Sequence, residues 1–137
     1  MRDVARGIYP AVLTNHGLAI ALESLAGAAA VPVRLDIDLP ARLPEAAEVA
    51  AYYVVSESLT NAGKHARASV VDVQVSRTDD TALVVIADDG VGGADPARGS
   101  GLRGLMDRVE ALGGQVRIST SADGSQVEAE IPCQTRR

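Results

Sequence analysis

A polar stripe on one predicted helix carries residue types that phosphate chemistry uses. Glu57, Asn61 and Lys64 are spaced by four and then three residues, which places them on a narrow arc of one helical face, with His65 beside them. A carboxylate can hold an activated water, an amide oxygen can ligate a hard divalent cation, and an ammonium can meet a phosphate. A solvated helix face is the simpler interpretation. Asn61 argues against it, because asparagine is a poor helix former in a helix interior.

A glycine-rich segment follows a short apolar strand predicted at residues 82–87. Asp88 lies at the exit of that strand, and Gly90 and Gly92 come directly after it. An acid at a strand exit, followed by spaced glycines, lets a carboxylate and the backbone approach a flat ligand closely. A flexible acidic turn would explain the same residues, so both interpretations stay open at this point.

A second glycine-rich segment leads into a short helix predicted at residues 101–112. Residues 99–104 match the dinucleotide fingerprint G-x-G-x-x-G, but that fingerprint needs a preceding strand and an acid on a second parallel strand. Here the fingerprint follows a loop and precedes a predicted hairpin. What remains is that glycines leading into a helix N-terminus present free N–H groups to an anion.

These segments must be positioned by a small mixed fold. Strict alternation of apolar and polar residues predicts a half-buried strand at 31–39, and Pro44 with two acids behind it predicts the start of a long helix running to about residue 66. A leucine stripe predicts a helix at 14–28, and two hairpins are predicted at 69–87 and 115–131. The order predicts an α+β sandwich, with helices on one face of a largely antiparallel sheet.

Composition narrows the function classes further. The chain has 137 residues, a net charge of −5, no Phe or Trp and three Tyr, so we expect one domain with an aliphatic core and no nucleic-acid partner. One cysteine and two histidines make a structural zinc site improbable and fit a reducing compartment. No apolar run approaches a membrane span, and no signal peptide is recognisable, so we expect a cytoplasmic domain without direct membrane contact.

In this order and spacing, the three segments resemble the ATP-binding domain of sensor histidine kinases, in the GHKL ATPase superfamily. The sequence ESLTNAGKHA at 57–66 resembles its N box, E-x-x-x-N-x-x-K-H, while DDGVG at 88–92 and GSGL at 99–102 resemble its two glycine boxes. The run at 104–114 is typical of the subfamily that pairs with helix-turn-helix response regulators. Residues 5–43 resemble the joint between that subfamily's dimerisation helices and its ATPase domain.

The resemblance implies the Bergerat fold, a two-layer α/β sandwich that encloses Mg²⁺ and ATP. Asn61 would ligate Mg²⁺, Glu57 would hold a metal-bound water and polarise the catalytic step, and Lys64 would meet a phosphate. His65 belongs to the same box and is expected among the nucleotide-binding residues. The second glycine box would cradle phosphates through Gly99, Gly101 and the N–H group of Leu102.

The resemblance also implies how the base would be bound. Asp88 would accept the adenine amino group, and Gly90 and Gly92 would allow close contact with the base. Relatives often carry threonine near the adenine in the penultimate turn, and Ser125 fills that place here with its hydroxyl retained.

The family's phosphoacceptor histidine lies on a dimerisation helix and is usually followed by an acid. His16 is followed by Gly17, and His65 belongs to the N box, so neither fits. We therefore expect residues 1–10 to be the remnant of a linker and residues 11–137 to be the catalytic domain of a protein-histidine kinase. Its partners would be a dimerisation and phosphoacceptor domain of the same kinase and, through that domain, a response regulator. The full protein would then be either cytoplasmic or a membrane-bound sensor with this domain in the cytoplasm.

Two alternatives stay open from the residues. An anti-sigma-type or degenerate GHKL module would use nucleotide to control a protein partner. A dinucleotide-dependent enzyme would instead use the glycines at 99–104.

Overall fold

The computed structural model describes residues 11–63, 68–90, 100–121 and 124–133. Residues 1–10, the predicted linker remnant, lie outside this part of the chain. The described residues form four helices and five strands. In chain order these are α1 (Ala11–His16), α2 (Leu18–Ala28), β1 (Val33–Asp38), α3 (Glu45–Asn61), β2 (Val71–Thr78), β3 (Thr81–Asp88), α4 (Ser100–Ala111), β4 (Gln115–Ser121) and β5 (Gly124–Pro132).

The strands form one mixed sheet in the order β1-β2-β3-β5-β4. Strands β1 and β2 pair in parallel, whereas the three other pairings are antiparallel. Helices α2, α3 and α4 all contact this sheet. The predicted α+β sandwich with a mostly antiparallel sheet is therefore confirmed.

The core is aliphatic, as the absence of Phe and Trp predicts. Alternate residues of β2 and β3 are buried, including Val73, Val75 and Val84, because one face of the sheet is covered by helices. From the helices, α3 contributes a stripe of small residues that lets it approach the sheet closely: Ala47, Ala50, Ala51, Val54, Val55 and Leu59.

The prediction of one helix at 14–28 is wrong, because the chain forms two helices that break at Gly17. The φ angle of Gly17 is +92°, a conformation that residues with a side chain rarely adopt, and its N–H donates to the Leu13 carbonyl at 3.0 Å. Leu18 and Leu22 of the predicted stripe are buried in α2 as expected.

The side chain of Arg42, which precedes α3 in the chain, contacts the break between α1 and α2. Arg42 donates through Nε and Nη2 to the two carboxylate oxygens of Glu48, at 2.9 Å each, and Nη2 also approaches the carbonyls of Leu13 and Thr14 at 3.5 and 3.4 Å. The hydrogen bonds and charge of Glu48 raise the pKa of Arg42 above its ordinary value. Glu48 is the second of the two acids that the sequence places in the first turn of the long helix. Its side chain is only 4% exposed and also accepts a hydrogen bond from the Leu43 amide at 3.2 Å.

The long helix begins as predicted. It starts after Pro44 at Glu45 and ends at Asn61, after which Ala62 and Gly63 continue in a wider π-helical turn. The predicted extension to residue 66 lies outside the described residues. Both predicted hairpins are present: β2 and β3 are joined through Asp79, whose φ angle is +54°, and β4 pairs with β5. Among the described helices, none is both long and apolar enough to cross a membrane.

Candidate functional site

The base-binding candidates Asp88 and Ser125 lie in one row of paired residues at the end of the sheet. Val71 at the start of β2 pairs with Asp88 at the end of β3, and Asp88 pairs with Ser125 near the start of β5. Directly opposed residues of antiparallel strands have their Cβ atoms about 4.5–5.5 Å apart. The sheet therefore brings two of the predicted site residues, Asp88 and Ser125, together.

The end of α3 lies at the same edge of the sheet. The amide of Ala68 donates to the carbonyl of Ala62 at 3.3 Å, and β2 begins three residues later at Val71. Glu57 and Asn61, one turn apart and both half-buried, occupy the last two turns of this helix. The helix that carries Glu57 and Asn61 therefore ends at the same end of the sheet as the row that holds Asp88.

The start of α4 points to this edge as well. Helix α4 is joined to β4 by a three-residue turn at 112–114, and β4 begins at the opposite end of the sheet, where Gln115 pairs with Glu130. Because α4 packs against β4 and precedes it directly, its N-terminus is directed back toward the row of Asp88 and Ser125. Gly101 and Leu102 lie in its first turn. Their backbone N–H groups are among those that have no partner within the helix.

The same connection argues against a dinucleotide fold. After α4 the chain enters the antiparallel hairpin of β4 and β5 rather than a second parallel strand. The G-x-G-x-x-G match at 99–104 therefore lacks the strand context that dinucleotide binding requires.

The carboxylate of Asp88 is oriented by its own turn. Its Oδ1 atom accepts the amide of Gly90 at 2.9 Å, which closes an Asx turn, and Gly90 itself is buried. This is the one hydrogen bond of the Asp88 side chain within the described ranges, and a carboxylate can accept further bonds at its second oxygen. The arrangement fits a carboxylate that reads a donor on a flat molecule.

Asp89 supports this turn from the other side, and sequence reasoning missed it. Its Oδ1 atom accepts the amides of Ser69 and Val70 at 2.8 and 3.2 Å, and its Oδ2 accepts the Ser69 hydroxyl. The hydrogen bond from the Ser69 hydroxyl makes the largest contribution and the two amides make the next ones. Together they lower the pKa of Asp89 below its ordinary value. The two adjacent acids therefore differ in their partners: Asp88 accepts an amide of its own turn, while Asp89 ties the end of β3 to the residues just before β2.

The backbone directly before Ser125 lies unusually close to the backbone of Asp88. Ser125 is 7% exposed, and its Oγ has no hydrogen-bond partner among the residues that the structure describes. The preceding Gly124 has a φ angle of +144°, and a Cβ atom built on it would lie 2.0 Å from the Asp88 carbonyl oxygen. Glycine is therefore required here for β5 to approach Asp88.

Helices α3 and α4 also meet next to the polar stripe. The guanidinium of Arg108 lies 4.8 Å from the ring centroid of Tyr53, a cation–π contact, and Tyr53 is one turn before Glu57. Tyr53 also packs edge-on against Tyr52, with ring centroids 5.5 Å apart. This contact joins the helix that carries Glu57 to the helix that begins with Gly101 and Leu102 in its first turn.

Several predicted site residues cannot be located. Lys64, His65, Gly92 and Gly99 lie outside the described residues, and for Gly101 and Leu102 only the helical backbone is described. No group of three or more His, Cys, Asp and Glu side chains that could hold a metal is found in the described ranges. Glu57, Asn61, Asp88, Gly90 and Ser125 are located, and the first two lie on α3 while the others lie on the sheet edge.

Comparison with known proteins points to one family. Residues 46–135 match the family described as histidine kinase-, DNA gyrase B-, and HSP90-like ATPase. Sensor histidine kinase NarS of Mycobacterium tuberculosis is 34% identical over 143 residues, which cover 96% of this chain and 33% of that protein. The signal transduction histidine-protein kinase/phosphatase UhpB of Salmonella typhimurium is 39% identical over 92 residues, covering 66% of this chain and 18% of that protein.

A solved structure agrees with these relatives. The histidine kinase domain of the Erythrobacter litoralis EL346 blue-light activated histidine kinase superposes with a TM-score of 0.63 at 26% identity, covering 85% of this chain and 57% of that chain. The chain spans about a third or less of the curated relatives named above.

Proposed function

Since the chain belongs to the family of histidine kinase-, DNA gyrase B-, and HSP90-like ATPases, we propose that it binds Mg²⁺ and ATP as the catalytic domain of a sensor histidine kinase. Its γ-phosphoryl group would go to a histidine on a dimerisation domain that is not part of this chain. One observation carries the proposal: the Asp88 carboxylate, oriented by Gly90, belongs to the strand partner of Ser125, whose buried hydroxyl has no hydrogen-bond partner among the described residues.

This pair suits the adenine base. The amino group of adenine is a donor, and the free oxygen of Asp88 is an acceptor at the open end of the sheet. Ser125 offers a hydroxyl that can donate or accept next to it. A guanine base presents an acceptor oxygen where adenine has its amino group, so an acceptor-only carboxylate disfavours it.

The phosphates and the metal would lie between the two helices. The N-terminus of α4, with Gly101 and the N–H of Leu102, would hold phosphate oxygens, together with Gly99 and Lys64. Asn61 would supply an amide oxygen to Mg²⁺, and the carboxylate of Glu57, one turn away, would hold a water of its shell. These oxygen donors fit a cation that keeps several waters and takes its other ligands from phosphates. When bound, Mg²⁺ would neutralise charge on the transferred phosphoryl group.

The catalytic work of the chain itself would be positioning. Backbone donors of α4 would hold the triphosphate in line, and Glu57 would accept a proton or polarise the attacking group. In the longer protein that we propose, the acceptor histidine would pair with a response regulator. That regulator would belong to the helix-turn-helix class.

Isothermal calorimetry with a non-hydrolysable ATP analogue tests the proposal. We expect binding by the intact chain that strengthens when Mg²⁺ is added and is competed by ADP. Absence of any binding with and without Mg²⁺, at protein concentrations where circular dichroism shows a folded chain, would overturn it. Binding of NAD in place of ATP would favour the dinucleotide alternative.

A further inference from the structure

Two buried hydroxyl groups in the described part of the chain have no hydrogen-bond partner: those of Ser58 and Ser125. Ser58 is 5% exposed and Ser125 is 7% exposed. A hydroxyl removed from water without a partner costs free energy, and most buried polar groups in proteins are paired. Two such groups in one small core therefore indicate a place where a partner is supplied from outside the chain.

Both hydroxyls lie in the layer between α3 and the sheet. Ser58 lies one turn before Ala62 on the buried face of α3, and Ala62 is hydrogen-bonded to Ala68 just before β2. Strand β2 begins in the row that continues through Asp88 to Ser125. Helix α3 packs on β3 and β5, the two strands that carry Asp88 and Ser125.

Ser58 directly follows the predicted catalytic carboxylate, about 100° further around the helix. Glu57 is half-buried on the polar stripe, whereas Ser58 is on the side of α3 that meets the sheet. An alanine or valine would fill that position without an unpaired group, as Ala62 and Val54 do on the same face.

We propose that Ser58 is a further base-recognition residue of the nucleotide site, where its hydroxyl and that of Ser125 supply the hydrogen-bond donors that Asp88 cannot. This inference rests on the proposed function. An ionised carboxylate only accepts hydrogen bonds, so Asp88 can hold the amino group of adenine but not the ring nitrogen N1 beside it, which is an acceptor. A hydroxyl, directly or through one water that it holds, satisfies N1.

The experiment that tests this role of Ser58 measures the binding of two nucleotides to the same set of variants. Calorimetry would measure the Kd of ADP and of 1-deaza-ADP, in which N1 is replaced by a C–H group, for wild type, Ser58→Ala and the control Ser56→Ala. Ser56 is on the same helix and only half-buried, and its carbonyl, which accepts the Thr60 hydroxyl, is kept in the variant. We expect Ser58→Ala to weaken ADP binding by about three- to tenfold, the effect of one lost hydrogen bond. The Kd of 1-deaza-ADP should change by less than about twofold, since that ligand has no acceptor to lose.

Thermal unfolding without nucleotide gives an independent readout. Removing a hydroxyl that has no partner in the free protein should leave the melting temperature of Ser58→Ala unchanged or raise it. An equal loss of affinity for both nucleotides, or no loss for either, would overturn the role of Ser58 while leaving the proposed function intact. Failure of the wild type to bind either nucleotide would overturn the proposed function, and this inference with it.

Discussion

Asp88 and Ser125 are direct partners across the antiparallel strands β3 and β5, at the last row of the helix-covered sheet. Their separation is therefore set by the ladder of backbone hydrogen bonds and not by the glycine-rich loop that follows Asp88. Rigid strands hold functional groups more precisely than loops do. The base end of the candidate site is thus built into the sheet, while the phosphate end depends on the segments around α4.

Replacing Asp88 by Asn should weaken adenine nucleotide binding. The substitution keeps the size of the side chain but replaces one acceptor oxygen by a donor, which opposes the amino group of adenine. Loss of a hydrogen bond to a charged group costs about 1.5–3 kcal/mol, so we expect the Kd of ADP to rise by roughly ten- to a hundredfold in calorimetry.

The matched control for this change is Asp36→Asn. Asp36 is exposed on β1, and its substitution makes the same change of net charge. We expect the Kd of ADP to stay within a factor of two. An equal rise in both variants would mean that net charge, and not Asp88 itself, governs binding.

Replacing Asn61 by Ala should remove the metal-dependent part of nucleotide affinity. Asn61 ends α3, and in the proposed site its amide oxygen binds the cation. The ratio of the Kd values measured with EDTA and with Mg²⁺ should fall toward one in Asn61→Ala. The neighbouring Thr60→Ala, which removes an exposed hydroxyl bonded to the Ser56 carbonyl, should keep the wild-type ratio. An unchanged ratio in Asn61→Ala would contradict its assigned role.

Replacing Gly124 by Ala should damage both the fold and the site. The new Cβ atom would meet the Asp88 carbonyl oxygen at 2.0 Å, and the φ angle of +144° adds backbone strain. We expect a loss of about 1–3 kcal/mol in the free energy of unfolding, measured by urea titration, together with weaker ADP binding, because Asp88 must move.

Gly27→Ala is the control for that loss. Gly27 lies in α2, and a Cβ atom there would meet nothing within 4 Å. Alanine is a better helix former than glycine, so stability should rise by about 0.5–1 kcal/mol. A stable Gly124→Ala variant that keeps wild-type affinity would show that the close approach of β5 to Asp88 is dispensable.

The sequence predicts the helices and strands well where a local pattern is strong. The alternation along β1, the acid at the exit of β3 and the spacing of Glu57 and Asn61 are local features, so each is readable before the fold is known. The pairing order β1-β2-β3-β5-β4 is not readable in this way, because it depends on contacts between distant segments.

Two features needed the three-dimensional structure. The break at Gly17 is not readable from the leucine stripe, because Leu18, Leu22 and Leu25 all lie after it. The side chain that packs against Gly17 belongs to Arg42, which is 25 positions further along the chain. The orphaned hydroxyl of Ser58 was also hidden, because serine on a helix is usually solvated or bonded to its own backbone. Only the burial of α3 against the sheet shows that neither applies.

The pH dependence of stability should reflect Asp89. Its folded-state pKa is lowered by the Ser69 hydroxyl and by the amides of Ser69 and Val70, so its contribution is present above the unfolded pKa of about 3.9. That contribution is lost as the pH falls through the lower, folded pKa. Asp89→Asn should therefore be less stable than wild type at pH 7, and the difference should shrink toward pH 3 in urea titrations. Asp38→Asn, an exposed change at the end of β1, should not show this convergence.

Removing Arg42 should loosen α1 more than the rest of the fold. Arg42→Ala takes both guanidinium bonds from the buried Glu48 carboxylate, which keeps only the Leu43 amide, and it also removes the donor near the carbonyls of Leu13 and Thr14. A buried charge left without its partner destabilises a protein, so the melting temperature should fall by several degrees.

The double variant Arg42→Ala with Glu48→Gln separates these effects, because glutamine keeps an acceptor for Leu43 without a buried charge. It should melt higher than Arg42→Ala alone. The amides of α1 should exchange faster with solvent in both variants, since the guanidinium that contacts the carbonyls of Leu13 and Thr14 is absent from each. Arg34→Ala breaks the exposed pair with Asp72 and should change the melting temperature little, because both side chains are well solvated. Equal melting of the single and double variants would mean that Arg42 acts through α1 and Gly17 rather than through Glu48.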